Sequence, residues 1–159
     1  MNERPPKSEF KDTQNIVFTN LGYEHLEQIA ELERQCFAMD AWSLELLKGE
    51  LEDKSKHYFV ALEKNIVLAY GGYAQILDEA HIMNIAVKKG YRNMGLAKGI
   101  ISLLIDDAKK RGIKRATLEV NETNTAAINL YEKFGFKLFG KRKNYYQNTH
   151  DALIYWKEL

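Results

Sequence analysis

The sequence predicts an α/β protein built on one mixed central sheet, and three observations carry that prediction. Two turn-like stretches, Glu63-Lys64-Asn65 and Asp78-Glu79, separate apolar runs of strand length, which is the pattern of hairpins. Beyond residue 80 strand-like and helix-like segments alternate, which calls for parallel pairing there. The chain has 159 residues, 45% of them hydrophobic and 28% charged, enough for one domain with one good core.

In chain order, residues 1–14 are polar, carry Pro5-Pro6 and read as a flexible tail, leaving 15–159 as the folded domain. Ile16-Val17-Phe18 is a first strand, and Tyr23–Phe37 reads as a helix with an apolar face. Ser43 is placed to cap a second helix reaching about Asp53. Tyr58–Leu62 and Ile66–Ile76 form the first hairpin, and Gly71-Gly72 inside the latter predict a bulge or a close approach by another backbone. A single strand is expected from Ala80 to Val87. The segment after Gly95 repeats apolar residues at helical spacing (Ala97, Ile101, Leu104, Ile105, Ala108) and stops at Gly112 after a basic last turn. Ala116–Val120 is a strand, a helix follows from the capping residues Asn121–Thr125 to Phe134, and Gly135 ends it. Phe136–Gly140 and Ala152–Trp156 read as two last strands joined by a polar loop. The total is about seven strands and about four helices, with no internal repeat.

Composition excludes several classes of function. A net charge of +1 gives no broad field for nucleic acid, so no direct nucleic-acid binding is expected. No apolar run approaches the length of a membrane span, and the N-terminus lacks a signal-peptide core. One cysteine, Cys36, permits no internal disulfide; it lies in an apolar helical pattern and reads as a buried structural thiol. A cytoplasmic protein is expected. The histidines 25, 57, 81 and 150 fall into no metal-ligand spacing, so no metal is expected.

The chemistry centres on Asn84–Lys98, NIAVKKGYRNMGLAK: an apolar strand, a basic loop with two glycines, then a helix. The first-turn amides of such a helix have no partner within it, and with the helix dipole they suit phosphate oxygens. Lys88, Lys89, Arg92 and Lys98 surround the loop with positive charge. The spacing is neither a P-loop nor a dinucleotide fingerprint. The pattern is Arg92-x-x-Gly95-x-Ala97, which resembles the acetyl-CoA pyrophosphate loop of the GCN5-related N-acetyltransferases (GNAT), [QR]-x-x-G-x-[GA]. A second signature of that family, NxxAxxLYxKxGF, is matched by Asn124, Ala127, Leu130-Tyr131, Lys133 and Gly135-Phe136. The resemblance covers roughly residues 16–158. Within the family it is nearest to the RimI-type ribosomal-protein-alanine N-acetyltransferases, on Asp78-Glu79-Ala80, Asn84–Val87, Leu118-Glu119-Val120, Arg142–Tyr146, Asp151-Ala152-Leu153 and Trp42-Ser43. Where that subfamily often has proline before the tryptophan, this chain has Ala41.

The resemblance implies the GNAT fold, with a mostly antiparallel sheet whose fourth and fifth strands are parallel and splayed. It implies acetyl-CoA as co-substrate and a protein N-terminus as acceptor, by direct attack in a ternary complex. The nearest acceptor by resemblance is the alanine end of small-subunit ribosomal protein eighteen. Glu119 is the implied general base, directly or through a water; alone it would read as a strand-end carboxylate in an ion pair. Tyr131 is the implied acid for the departing thiolate, and it also fits a core aromatic. Ile85, Ala86 and Val87 are implied to bind the pantetheine arm by backbone groups, and Arg92, Asn93, Met94, Gly95, Leu96, Ala97 and Lys98 the diphosphate. Asn124 reads both as a plain N-cap and as a pantetheine ligand. Trp42, Tyr145 and Tyr146 are named for the acceptor side, with Tyr145-Tyr146 equally readable as an edge-strand aromatic pair. The basic run Lys137, Lys141, Arg142, Lys143 reads as a solvated face, with docking near ribosomal RNA as a second reading. An α-amine suits a single glutamate base: its pKa is about 8 against about 10.4 for lysine, so roughly a tenth is already neutral near pH 7. Two other readings stay open: acetylation of another N-terminus, a lysine or a small amine, and a CoA-binding sensor without turnover.

Overall fold

The computed structural model describes residues 15–146 and 150–159; the side chain of residue 146 lies outside this description, as does the expected 1–14 tail. The elements are β1 (Ile16–Asn20), α1 (Leu26–Phe37), α2 (Leu44–Glu52), β2 (Lys56–Glu63), β3 (Ile66–Ile76), β4 (Glu79–Ile82), β5 (Ala86–Val87), α3 (Leu96–Lys110), β6 (Arg115–Asn121), α4 (Thr125–Lys133), β7 (Lys137–Tyr146) and β8 (His150–Glu158). The sheet order is β1-β2-β3-β4-β6-β8-β7, with β5 pairing β3. Only β4 and β6 run parallel among the described pairings, and every other pair is antiparallel.

The helices cover the two faces separately. Leu26, Ile29, Ala30 and Leu32 of α1 and Leu47 of α2 pack on Tyr58, Val60, Val67 and Tyr70. Leu96, Ile100, Ile101, Leu104 and Ile105 of α3, with Tyr131 of α4, pack on the other face against Tyr73, Ala80, Leu118, Val120 and Tyr155. Ser43 caps α2 as its residue type predicts, its Oγ accepting from the Leu46 amide at 3.2 Å. The close approach expected at Gly71-Gly72 is present: a Cβ on Gly72 would stand 2.2 Å from the Tyr58 ring and 2.7 Å from the His57 carbonyl. The bulge in this ladder lies elsewhere, at Ala61/Leu62.

Three expectations need correction. The first helix begins at Leu26, with Tyr23–His25 a 3-10 turn. The polar segment after Gly140 is strand, not loop, because it pairs with β8 along the sheet edge. The strand expected over 80–87 is two strands, so eight replace seven. Apolar continuity hid the break, which is the loss of one of two partners. Glu79, Ala80 and His81 pair with Arg115, Ala116 and Thr117 of β6. Over the same residues β4 pairs β3 on its other side, and after Ile82 only the β3 side continues: Met83 N–H donates to the Gly72 carbonyl (2.8 Å), Ala86 pairs with Tyr70, and Lys88 N–H donates to the Leu68 carbonyl (2.7 Å). Leu118–Asn121 meanwhile stay on β8. The parallel pair therefore opens into a gap after three rungs, and this is the expected splay.

Candidate active site

Into that gap opens a cleft of about 690 Å³. Ile85, Ala86 and Val87 form one wall, the start of α3 one end, and Asn124, Ala127, Leu130 and Tyr131 the opposite wall. In the β3–β5 ladder bonded residues alternate, so the Ala86 and Lys88 amides face β3 and those of Ile85 and Val87 face the gap. The Val87 carbonyl, which points the same way, accepts from Arg92 Nε at 3.4 Å.

Gly95 is the N-cap of α3 with φ of +79°. A Cβ there would meet no protein atom within 4 Å, so the glycine is needed for its left-handed backbone and borders open space rather than packed side chains. Asn93, two residues earlier, is left-handed too (φ +61°), which folds the loop tightly before the helix. The first turn of α3 carries no acidic residue, and Lys98 and Arg92 stand at the cleft. An apolar middle with amides and cations at one end fits a long molecule with an anionic head.

All the sequence-named cofactor residues line this cleft except Met94. Asn124 caps α4, its Oδ1 accepting from the Ala127 amide at 3.2 Å, and lines the cleft as well. Tyr131 is 9% exposed, packs edge-on to Phe136 and lines the cleft. Cys36 and Phe37 also line it, which corrects the reading of Cys36 as a buried thiol: Cys36 is half-buried and its Sγ donates to the Val87 carbonyl at 3.6 Å. Only a tertiary contact brings the end of α1 to β5, so no local pattern signalled it.

Glu119 does not line the cleft. Leu118 and Val120 face α3 and α4, so strand alternation turns Glu119 to the other face, where Arg142 Nη2 lies 2.8 Å from its Oε1. Arg142 in turn sits 4.8 Å over the Tyr145 ring. Glu119 and Tyr131 thus flank the splay from opposite sides of the sheet. Trp42 is half-buried on the α1/α2 face. In the basic run, Lys141 pairs with Asp151 (3.6 Å) and Arg142 with Glu119, so two of its cations are already engaged. Among the described residues no group of three or more His, Cys, Asp or Glu could hold a metal, and no helix is long and apolar enough to cross a membrane.

A sheet parted between two parallel strands, with a glycine-capped helix at the mouth of the cleft, is the arrangement that the resemblance to the acetyl-CoA-dependent transferases implies. The acetyltransferase (GNAT) family model matches residues 23–136, and the chain belongs to that family as an N-acetyltransferase. Members of the family take acetyl from acetyl-CoA. A Bacillus subtilis relative, named provisionally as a ribosomal protein bS18-alanine N-acetyltransferase, is 34% identical over 139 residues, 86% of this chain and 91% of that one. The ribosomal protein bS18-alanine N-acetyltransferase of Haemophilus influenzae is 34% identical over 120 residues, 76% of this chain and 80% of that one. The crystal structure of the Escherichia coli ribosomal-protein-S18-alanine N-acetyltransferase superposes with a TM-score of 0.82 at 30% identity, covering 90% and 93% of the two chains.

Proposed function

We propose that this protein acetylates the α-amine of a protein N-terminus, the N-terminal alanine of ribosomal protein bS18, in a ternary complex with acetyl-CoA. The observation that carries the reading is the splay itself, which leaves Glu119 on one side of the sheet and Tyr131 on the other. Acetyl-CoA enters from the α3/α4 face. Amides of β5 hold its pantetheine and polarise the thioester carbonyl, and the turn at Arg92–Lys98 holds the diphosphate. The Asn124 oxygen is committed to its cap, which leaves its amino group for the pantetheine. The acceptor approaches from the face where helices α1 and α2 stop short of β6. Glu119 takes a proton from the incoming ammonium, directly or through a water. The neutral nitrogen attacks the thioester carbon to give a tetrahedral adduct; the nitrogen gives up its second proton to water, the C–S bond breaks, and Tyr131 protonates the departing thiolate and regains its proton from solvent. The α-ammonium replaces Arg142 beside Glu119 as it binds. The likeness to relatives named for bS18 supports the choice of acceptor, and a ribosomal acceptor implies a cytoplasmic site of action.

Thiol release from acetyl-CoA, measured across peptides starting with alanine or other residues, lysine peptides and small amines, tests this. Release is expected with alanine-starting peptides that copy the bS18 terminus. Preferential turnover of lysine or a small amine would replace the acceptor, and tight cofactor binding with no release would favour the sensor. Trp42→Ala is expected to raise the peptide KM about tenfold, roughly 1.4 kcal/mol of acceptor binding, with the acetyl-CoA KM nearly unchanged. The reverse pattern in steady-state kinetics would remove Trp42 from the acceptor side.

A further inference from the structure

Glu33 is a glutamate in a position meant for a hydrophobic residue. It falls seven residues after Leu26 on the apolar stripe of α1 and is only 1% exposed. Its two oxygens are used separately. The Tyr70 hydroxyl of β3 donates to Oε1, and the backbone N–H of Trp42 donates to Oε2 at 3.2 Å. Burial pushes the Glu33 carboxyl above the ordinary carboxylate range, against the opposing pull of these two donors. A buried acid of this kind adds little net stability over an apolar residue of the same size. Its distinctive contribution is geometric: one carboxylate clamps the far end of the α1–α2 connection to the middle of the sheet.

The connection it clamps is held in an unfavourable shape. Ala38, the first residue past α1, has φ of +48° and ψ of −112°, a conformation an L-residue adopts rarely. A 3-10 turn over Ala38–Asp40 follows, and Met39 projects almost wholly into solvent. The next ordered anchor is the Trp42 amide on Glu33, immediately before Ser43 caps α2. The same last turn of α1 presents Cys36 and Phe37 to the cofactor cleft. One helical turn therefore touches the cofactor side with its end and fixes Trp42 with its buried acid.

We infer that Glu33 is a positioning residue for the acceptor site: its carboxylate holds the Trp42 end of the α1–α2 connection in register with the cleft, so that the slot for the incoming amine keeps its shape. The inference rests on the reading of Trp42 as an acceptor-side residue. Glu33 itself touches neither substrate.

The chain has two tryptophans, so Trp156→Phe leaves Trp42 as the sole indole reporter. In that background Glu33→Gln is expected to shift Trp42 emission to the red and increase its acrylamide quenching. In steady-state kinetics it is expected to raise the peptide KM about fivefold, the scale of one ordinary hydrogen bond, while the acetyl-CoA KM stays within about twofold. Tyr70→Phe removes the other Glu33 partner but leaves the Trp42 bond, and is expected to keep wild-type emission and peptide KM. Unchanged Trp42 emission in Glu33→Gln, or equal effects of the two substitutions, would overturn the inference. Should Glu33→Gln fold poorly, Glu33→Asp, shorter by one methylene, is measured the same way; wild-type emission there also overturns it. If the wild-type protein acetylates no peptide, the proposed function falls on that result, and the quenching comparison alone decides the role of Glu33.

Discussion

Glutamine at position 119 is expected to lower kcat by about a hundredfold or more, the usual worth of a general base. The acetyl-CoA dissociation constant is expected to hold, because Glu119 lies on the face of the sheet away from the cofactor cleft. The same substitution releases Arg142, whose guanidinium lies 2.8 Å from the Glu119 carboxylate. A structural role in that ion pair predicts a different result: Arg142→Gln would then reproduce the loss. With Glu119 as base, Arg142→Gln leaves most of kcat in place and alters chiefly the peptide KM. Single-turnover acetyl transfer by the two variants separates these outcomes. Wild-type rates in Glu119→Gln across the pH range would remove it as the base.

The second large effect is expected at Gly95. Valine there must either adopt a left-handed backbone, at a cost of roughly 1–2 kcal/mol, or rotate the first turn of α3 away from its present direction. The space beside the glycine is open in the protein, so the substitution crowds no neighbouring side chain. Its branches project instead into the volume where a diphosphate would lie against the helix amides. The CoA dissociation constant is therefore expected to rise at least about tenfold, with the thermal midpoint lowered by only about 2–8 °C. Calorimetric titration with CoA checks it, and an unaltered affinity would sink the diphosphate loop.

Local chemistry made most of the cofactor side readable in advance. A glycine before an apolar helix, cations around it and an Asn cap at Asn124 each act within a few residues, so their spacing alone located the loop and both helix starts. The features that escaped depend on partners distant in the chain. Ala80–Val87 is apolar throughout most of its length, and nothing within it marks the point where it parts from β6 while staying on β3. Cys36 and Phe37 reach the cleft because α1 ends over β5. The strand character of residues 141–146 comes from pairing with β8 and not from composition. Glu33 is an instructive case, since a signal existed: an acid seven residues after Leu26, on a face otherwise made of Leu, Ile and Ala, is a conflict between pattern and charge. The acceptor side was the least legible. Trp42 and Tyr145 sit on separate elements, and the side chain of Tyr146 lies outside the described residues.

The three rungs between β4 and β6 carry a consequence for how the sheet holds together. The hairpin ladders β2–β3 and β7–β8 close short stretches of chain, whereas β1–β2 joins residue 16 to residue 63 and β6–β8 joins residue 115 to residue 158, each through a longer ladder. The rungs join residue 79 to residue 115 with the whole of α3 between them. Bringing those ends together costs about as much chain entropy as the other long closures and returns fewer bonds. The two portions of the sheet are thus tied by their thinnest backbone link at the seam that sets the width of the cleft.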